Sequence, residues 1–103
     1  MSRANPHRGE ASFVVRGETL VLRPSFAALV AAEEELGPLF ALVERTADGR
    51  LSLREVAALF DHVSAERPPA ITRTSIGEAI VAAGLTEVTP VLRVLLAQIL
   101  QGQ

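Results

Sequence analysis

The strongest constraint in this chain is a change of hydrophobic period at Arg23-Pro24. Over residues 12–22, SFVVRGETLVL, apolar and polar residues alternate, whereas from Phe26 to Leu36 apolar residues return at helical spacing. Strand alternation and a helical stripe cannot share one backbone conformation, so the chain must pass from strand to helix at this point. Phe13, Val15, Leu20 and Leu22 fall on one face whether the tight turn is centred on Arg16-Gly17 or on Gly17-Glu18, which defines a hairpin with one wet face. Pro24 cannot continue the strand ladder, and the Ser25 hydroxyl can accept from the first free N–H groups of a helix. Phe26, Leu29, Val30 and Leu36 form the expected inward stripe of that helix, and Gly37 its stop. A two-stranded hairpin is marginal alone, so this helix and those downstream are expected to cover it. The class is α+β: an N-terminal β-hairpin packed against a bundle of about five short helices.

Four further helices can be read. Pro38 opens a short one through Leu39, Phe40, Leu42 and Val43, which ends before the Asp48-Gly49 turn. Ser52 and Glu55 have the reciprocal capping-box spacing, and Leu53, Val56, Phe60 and Val63 then give the best amphipathic pattern in the chain. Glu66-Arg67-Pro68-Pro69 reads as an exposed connection within one domain. Ser75 and Glu78 repeat the capping-box spacing ahead of Ile76, Ile80 and Ala83, with Gly84 as the stop. Thr89-Pro90 is expected to cap and open the last helix, whose Val91, Leu92, Val94, Leu95, Leu96, Ile99 and Leu100 cover well over half its circumference. That helix is therefore expected to be central, with one apolar line left over for a partner; a charge placed at Leu96 or Leu100 on such a line should leave stability nearly unchanged.

The chain has 103 residues, which suits one domain with a modest core. Residues 1–9 are expected to be a flexible tail without the apolar core of a signal peptide, and residues 10–103 one folded unit. Apolar residues make up 49% of the chain and the mean hydropathy is +0.30, more apolar surface than so small a fold easily hides. All ten cationic residues are arginine, and they are scattered in a chain of net charge −2, which argues against nucleic acid as a partner. With no cysteine there is no disulfide, thiolate ligand or thiol nucleophile. The longest apolar run, residues 91–100, contains Arg93 and is too short to span a bilayer.

The chemical motifs are weak. Glu44, Thr46, Asp48, Gly49, Ser52 and Glu55 fall at calcium-loop positions, but the first and third positions have poor ligands and Ser52 with Glu55 already reads as a helix cap. A helix-turn-helix is defeated by the long, proline-containing connection between Val63 and Ser75. His62 has no partner at metal-ligand spacing and stands beside Asp61 near a helix C-terminus, where a surface or dipole role is expected. No nucleophile elbow or phosphate loop is present, so no enzymatic activity, catalytic residue, cofactor or metal is expected. Glu33-Glu34-Glu35 lies in the last turn of the first helix, facing the negative end of its dipole; it reads either as a solvated acidic end offset by arginines or as an acidic contact point. The candidate protein-binding residues are therefore Leu92, Leu95, Leu96, Ile99 and Leu100, with Glu33, Glu34 and Glu35.

Asn5-Pro6-His7-Arg8-Gly9-Glu10, Gly17, Leu22-Arg23-Pro24-Ser25-Phe26-Ala27-Ala28-Leu29, Glu34 and Leu36-Gly37 together resemble the gene transfer agent family of phage-tail proteins. The resemblance is specific over residues 5–37 and continues as a pattern of helices that includes Arg50-Leu51-Ser52-Leu53-Arg54-Glu55-Val56-Ala57. Members are encoded between the tail tube and tape-measure proteins, are sometimes catalogued as tail tube proteins, and are similar in gene position and length to tail assembly chaperones. The resemblance implies a cytoplasmic assembly factor of the bacterial host that shields the apolar tape-measure protein until the tube polymerises. Contact with the tail tube protein and homo-oligomerisation are further implications. The alternatives are a structural tail tube or connector subunit and, from another class, a small DNA-binding regulator.

Overall fold

The computed structural model describes residues 10–64 and 66–101; the tail expected over residues 1–9 lies outside them. The elements are β1 (Ala11–Val15), β2 (Glu18–Leu22), α1 (Phe26–Leu36), α2 (Leu39–Ala47), α3 (Leu53–Val63), α4 (Arg73–Ala83) and α5 (Leu85–Gln101), the expected α+β arrangement. β1 and β2 are antiparallel with Val15 opposite Glu18, which fixes the turn at Arg16-Gly17. Both turn residues have positive φ, 53° and 81°, as the twist-matched two-residue turn requires. Phe13, Val15, Leu20 and Leu22 are all buried, while Val14 is exposed.

The apolar face of the hairpin is covered through β1 by α5 and α4 and, at Phe13, by Phe60 of α3, while α1 packs chiefly on α3 and α2. α3 is the most enclosed helix, with Val56, Ala57, Ala58, Leu59, Phe60 and Val63 all buried. It displaces α5 from the central place expected for it. The Phe60 ring meets Phe13 edge-on at 5.4 Å and 74°, which joins the hairpin to the helices. The start of α3 has both arms of the capping box: Glu55 N donates to Ser52 Oγ at 3.1 Å, and Ser52 N donates to Glu55 Oε1 at 3.0 Å.

Two expected helix starts are displaced. α4 is capped by Thr72, whose hydroxyl accepts from Ser75 N at 3.2 Å, so Ser75 is a buried first-turn residue and its spacing to Glu78 is not a cap. α5 begins five residues before Pro90, because Gly84 does two jobs. Its φ of 81° closes α4, while its carbonyl accepts from Glu87 N and Val88 N at 3.2 and 3.1 Å to open α5. Pro90 then lies inside the helix, and the donor it lacks would have served the exposed Thr86. The Glu66-Arg67-Pro68-Pro69 connection is tied down rather than loose. Arg67 donates through Nε to Ile71 O at 2.7 Å and through Nη1 to Asp61 O at 3.0 Å, and its Nη2 pairs with Asp61 Oδ1 at 2.5 Å.

Phe13→Ala should cost about 3 to 4 kcal/mol by opening a cavity against Phe60, whereas Val14→Thr on the wet face should cost under about 0.5 kcal/mol. Chemical unfolding of the two variants checks this. Gly77 lies inside α4, and a Cβ added there would meet Ala57 Cβ at an ordinary 3.8 Å. Gly77→Ala should therefore raise stability by about 0.5 to 1 kcal/mol, read in the same titrations.

Candidate functional site

α1 is turned from its sequence expectation: of the expected inward stripe, Leu29 and Leu36 pack partly against the core, whereas Phe26 and Val30 do not. Its one fully buried residue is Ala32, with Ala28, Leu29 and Leu36 partly buried against the core, while Phe26 is 85% exposed and Val30 is also at the surface. Small residues at Ala28 and Ala32 let α1 approach α3 closely, which leaves Phe26 and Val30 facing outward. Phe40, 63% exposed at the start of α2, stands beside them. Pro24, Phe26, Leu29, Val30, Leu39, Phe40 and Ile99 line one groove of about 350 Å³, with Glu33 and Gln98 on its border. The groove therefore sits where the beginnings of α1 and α2 meet the end of α5, and its walls are mainly apolar.

The sequence-predicted residues divide between core and surface. Leu92, Leu95 and Leu96 are buried, so they form no left-over line, and a charge at Leu96 would be driven into the core. Ile99 is half-buried and lines the groove, and Leu100 beside it is 60% exposed. Of the acidic run, Glu33 Oε2 accepts from Leu39 N at 3.1 Å and so caps α2. Glu34 is exposed, with no ion pair or hydrogen bond among the described residues. Glu35 accepts from Arg73 Nη1 and Nη2 at 2.5 and 2.8 Å and contacts His62 Nε2 at 2.8 Å. Arg73 in turn bonds Asp61 Oδ2 through Nε and Nη2 at 3.1 and 2.9 Å. The Glu35 and Asp61 side chains thus fasten α1, α3 and α4 together, and this part of the acidic run is structural.

Phe26, Val30 and Phe40 were missed as surface residues because aromatic and β-branched side chains at helical spacing ordinarily mark a core. One signal was present: Phe26, Val30 and Glu33 follow one another at i, i+4 and i+7, so the same stripe that begins with an aromatic ends on a carboxylate. The competing stripe Ala28, Ala32 and Glu35 has the alanines needed for close packing and ends on the anchored residue.

The family described as Phage tail tube protein, GTA-gp10, matches residues 8–102. The chain belongs to this gene transfer agent tail family. No curated protein and no solved structure matches it. In this tail protein two carboxylates of the 44–55 segment have partners within it: Glu55 is bonded by Ser52 N and paired with Arg45, and Asp48 pairs with Arg50 at 3.0 Å. Among the described residues no group of three or more His, Asp or Glu side chains could hold a metal ion, and no helix is long and apolar enough to cross a membrane.

The hydrogen bonds from Arg73, and then that from His62, pull the Glu35 carboxyl down from its ordinary 4.5 to about 2. Because the folded value is the lower one, Glu35 contributes stability that is present above pH 4.5 and is lost as pH falls through about 2. Glu35→Gln should therefore be less stable than the parent protein at neutral pH, and the gap should close over that interval. Urea titrations of both proteins across the acid range check this; a gap independent of pH would remove Glu35 from the network.

Proposed function

We propose that this tail-family protein is a morphogenesis factor that binds another chain during tail assembly, and specifically a chaperone for the tape-measure protein. The observation that carries the reading is the open apolar groove of Phe26, Val30, Phe40 and Ile99. An amphipathic or wholly apolar helix could lay its side chains into it, the mode in which helices dock in hydrophobic grooves. Scattered apolar residues are ordinary on a protein surface, but two exposed phenylalanines sharing one groove make a contiguous patch of the kind that marks an interaction site. The role is proposed to be non-catalytic, since Glu35, Asp61 and His62 are all engaged in structural pairs, and to be exercised in the host cytoplasm.

A second reading, a structural subunit of the tail tube, is favoured by the family's description. Among the described residues the only sheet is the two-stranded hairpin. A subunit that built a tube wall by strand pairing would thus have the edges of that hairpin to offer. Mass spectrometry of purified particles separates the two readings, because a tube subunit is present in stoichiometric amounts and an assembly chaperone is not.

For the chaperone reading, Phe26→Glu and Phe40→Glu should each leave unfolding within about 0.5 kcal/mol of the parent, since neither side chain is in the core. Each should weaken capture of the tape-measure protein by about 2 kcal/mol, or roughly thirtyfold, by setting a carboxylate against apolar anchors. Capture undiminished in both variants would overturn the groove as the binding seat.

A further inference from the structure

The groove between α1, α2 and α5 has a border of one charge sign. Glu33 is the one charged side chain among its lining residues, and no arginine lines it. On α1 the groove residues Leu29 and Val30 are followed one turn on by Glu33 and Glu34, and positions i and i+4 share a helix face. On α2 the groove residue Phe40 is followed at the same spacing by Glu44. All three glutamates are exposed. Glu33 uses Oε2 to accept from Leu39 N, while the Glu34 and Glu44 side chains have no ion pair or hydrogen bond among the described residues.

The described arginines do not offset this border. Arg23, next to Pro24, pairs with Glu10 and Glu66 at 3.4 and 2.5 Å and lines a different opening with Val21 and His62. Arg45 pairs with Glu55, Arg67 with Asp61, and Arg73 with Glu35 and Asp61. Arg93 precedes the groove residues Gln98 and Ile99 by five and six residues, which puts it about 140° and 120° around α5 from them. Arg16 stands at the turn end of the hairpin, away from Pro24, and Arg50 and Arg54 lie beyond the far end of α2 from Phe40.

The shape of the groove suits a helix. Phe26 to Glu33 spans seven residues, about 10 Å, which is the i to i+7 spacing at which a docked helix presents its anchors. The walls are themselves helices whose backbone groups are bonded internally, and Pro24 has no N–H, so an extended strand would find no ladder to join.

We infer that the guest of this groove is a basic amphipathic helix, with apolar anchors flanked by lysine or arginine, in preference to an apolar helix without charge. The anchors fill the space among Phe26, Val30, Phe40 and Ile99, and the flanking cations reach Glu33, Glu34 and Glu44. Exposed border charges add little to affinity singly, but they speed encounter and repel a guest of like charge. The apolar walls therefore hold a helix and the border selects which one. This inference rests on the groove being the binding seat, as proposed above, and adds the chemistry of its guest.

The test uses the purified full-length protein and two synthetic helical peptides that share one leucine stripe at i, i+4 and i+7. They differ only in the residues flanking the stripe, lysine in one and glutamate in the other, and binding is followed by calorimetry. At low salt the lysine peptide should bind at least about tenfold tighter, and the ratio should fall below about threefold at about 1 M salt, where charges are screened beyond about 3 Å. Glu34→Lys with Glu44→Lys should abolish the preference. Glu18→Lys with Glu78→Lys makes the same change of net charge at exposed residues of β2 and α4, neither of which lines the groove, and should keep it. Phe40→Ala removes an anchor without adding charge and should weaken both peptides. Urea unfolding reports that each variant folds. Two peptides bound equally by the parent and both weakened by Phe40→Ala would overturn the inference and leave the groove as the seat. A preference lost equally in both lysine pairs would overturn it too, since the net charge of the chain would then explain it. Failure of both peptides to bind at millimolar concentration would overturn the groove and the inference together.

Discussion

The edge-on contact of Phe13 with Phe60 is the joint on which the structure depends. A hairpin of two five-residue strands cannot stand by itself, and helices of 9 to 17 residues do not persist in water without an apolar surface to bury. Phe13 supplies the largest side chain on the buried face of the hairpin, and Phe60 is the largest fully buried side chain in the described protein. Around that joint α3 is enclosed on several sides, and small residues make this feasible. Ala28 and Ala32 face it from α1, and Ala57 of α3 meets Gly77 of α4, so neighbouring helices approach without bulky side chains between them. The capping box at Ser52 and Glu55 fixes where α3 begins and hence how far along it Phe60 stands.

Along one edge of this packed centre, the Glu35, His62, Arg73, Asp61 and Arg67 side chains form a continuous chain of polar contacts. Exposed ion pairs are individually worth only about 0 to 1 kcal/mol, so the network is better understood as setting register than as supplying the bulk of stability. Arg73 reaches from the first turn of α4 to both α1 and α3, and its guanidinium geometry permits two partners at once. Arg67 performs the same service for the connection between α3 and α4, where the stiff Pro68-Pro69 pair would otherwise leave backbone carbonyls unserved.

Much of this was legible because local chemistry and tertiary packing agree. The hairpin face, the strand stop at Pro24, the cap at Ser25 and the start of α3 each rest on residues whose effect is confined to a few neighbours. The misread positions are those where two local signals compete and a distant contact decides. Thr72 and Ser75 both offer hydroxyls three residues before a suitable donor, and α4 begins at the earlier one, where Arg73 is already bonded to Glu35 and Asp61. Pro90 looks like a first-turn residue, but Gly84 opens α5 earlier because its carbonyl is free to accept from Glu87 and Val88. The orientation of α1 was the costliest ambiguity. Its sequence carries two stripes, and choosing the one with larger side chains hid the groove; separately, the wide apolar circumference of α5 assigned Leu92, Leu95 and Leu96 to a surface they do not reach.

The turned α1 bears on why this chain is so apolar. A protein of this length buries a smaller fraction of its surface than a large one, so some exposed hydrophobic residues need no explanation. Val14 on the wet face of the hairpin is one of these. Phe26 and Phe40 are different, because a phenylalanine left largely in water gains little of the transfer free energy that would make it useful to the fold. The same holds for the exposed Leu53, Val81 and Leu85. Phe26 and Phe40 share the groove where α1 and α2 begin and α5 ends, apart from the ion pairs that join α1, α3 and α4. The free energy withheld from folding at these side chains becomes available when another apolar surface covers them, which is the property that guarding an apolar partner requires.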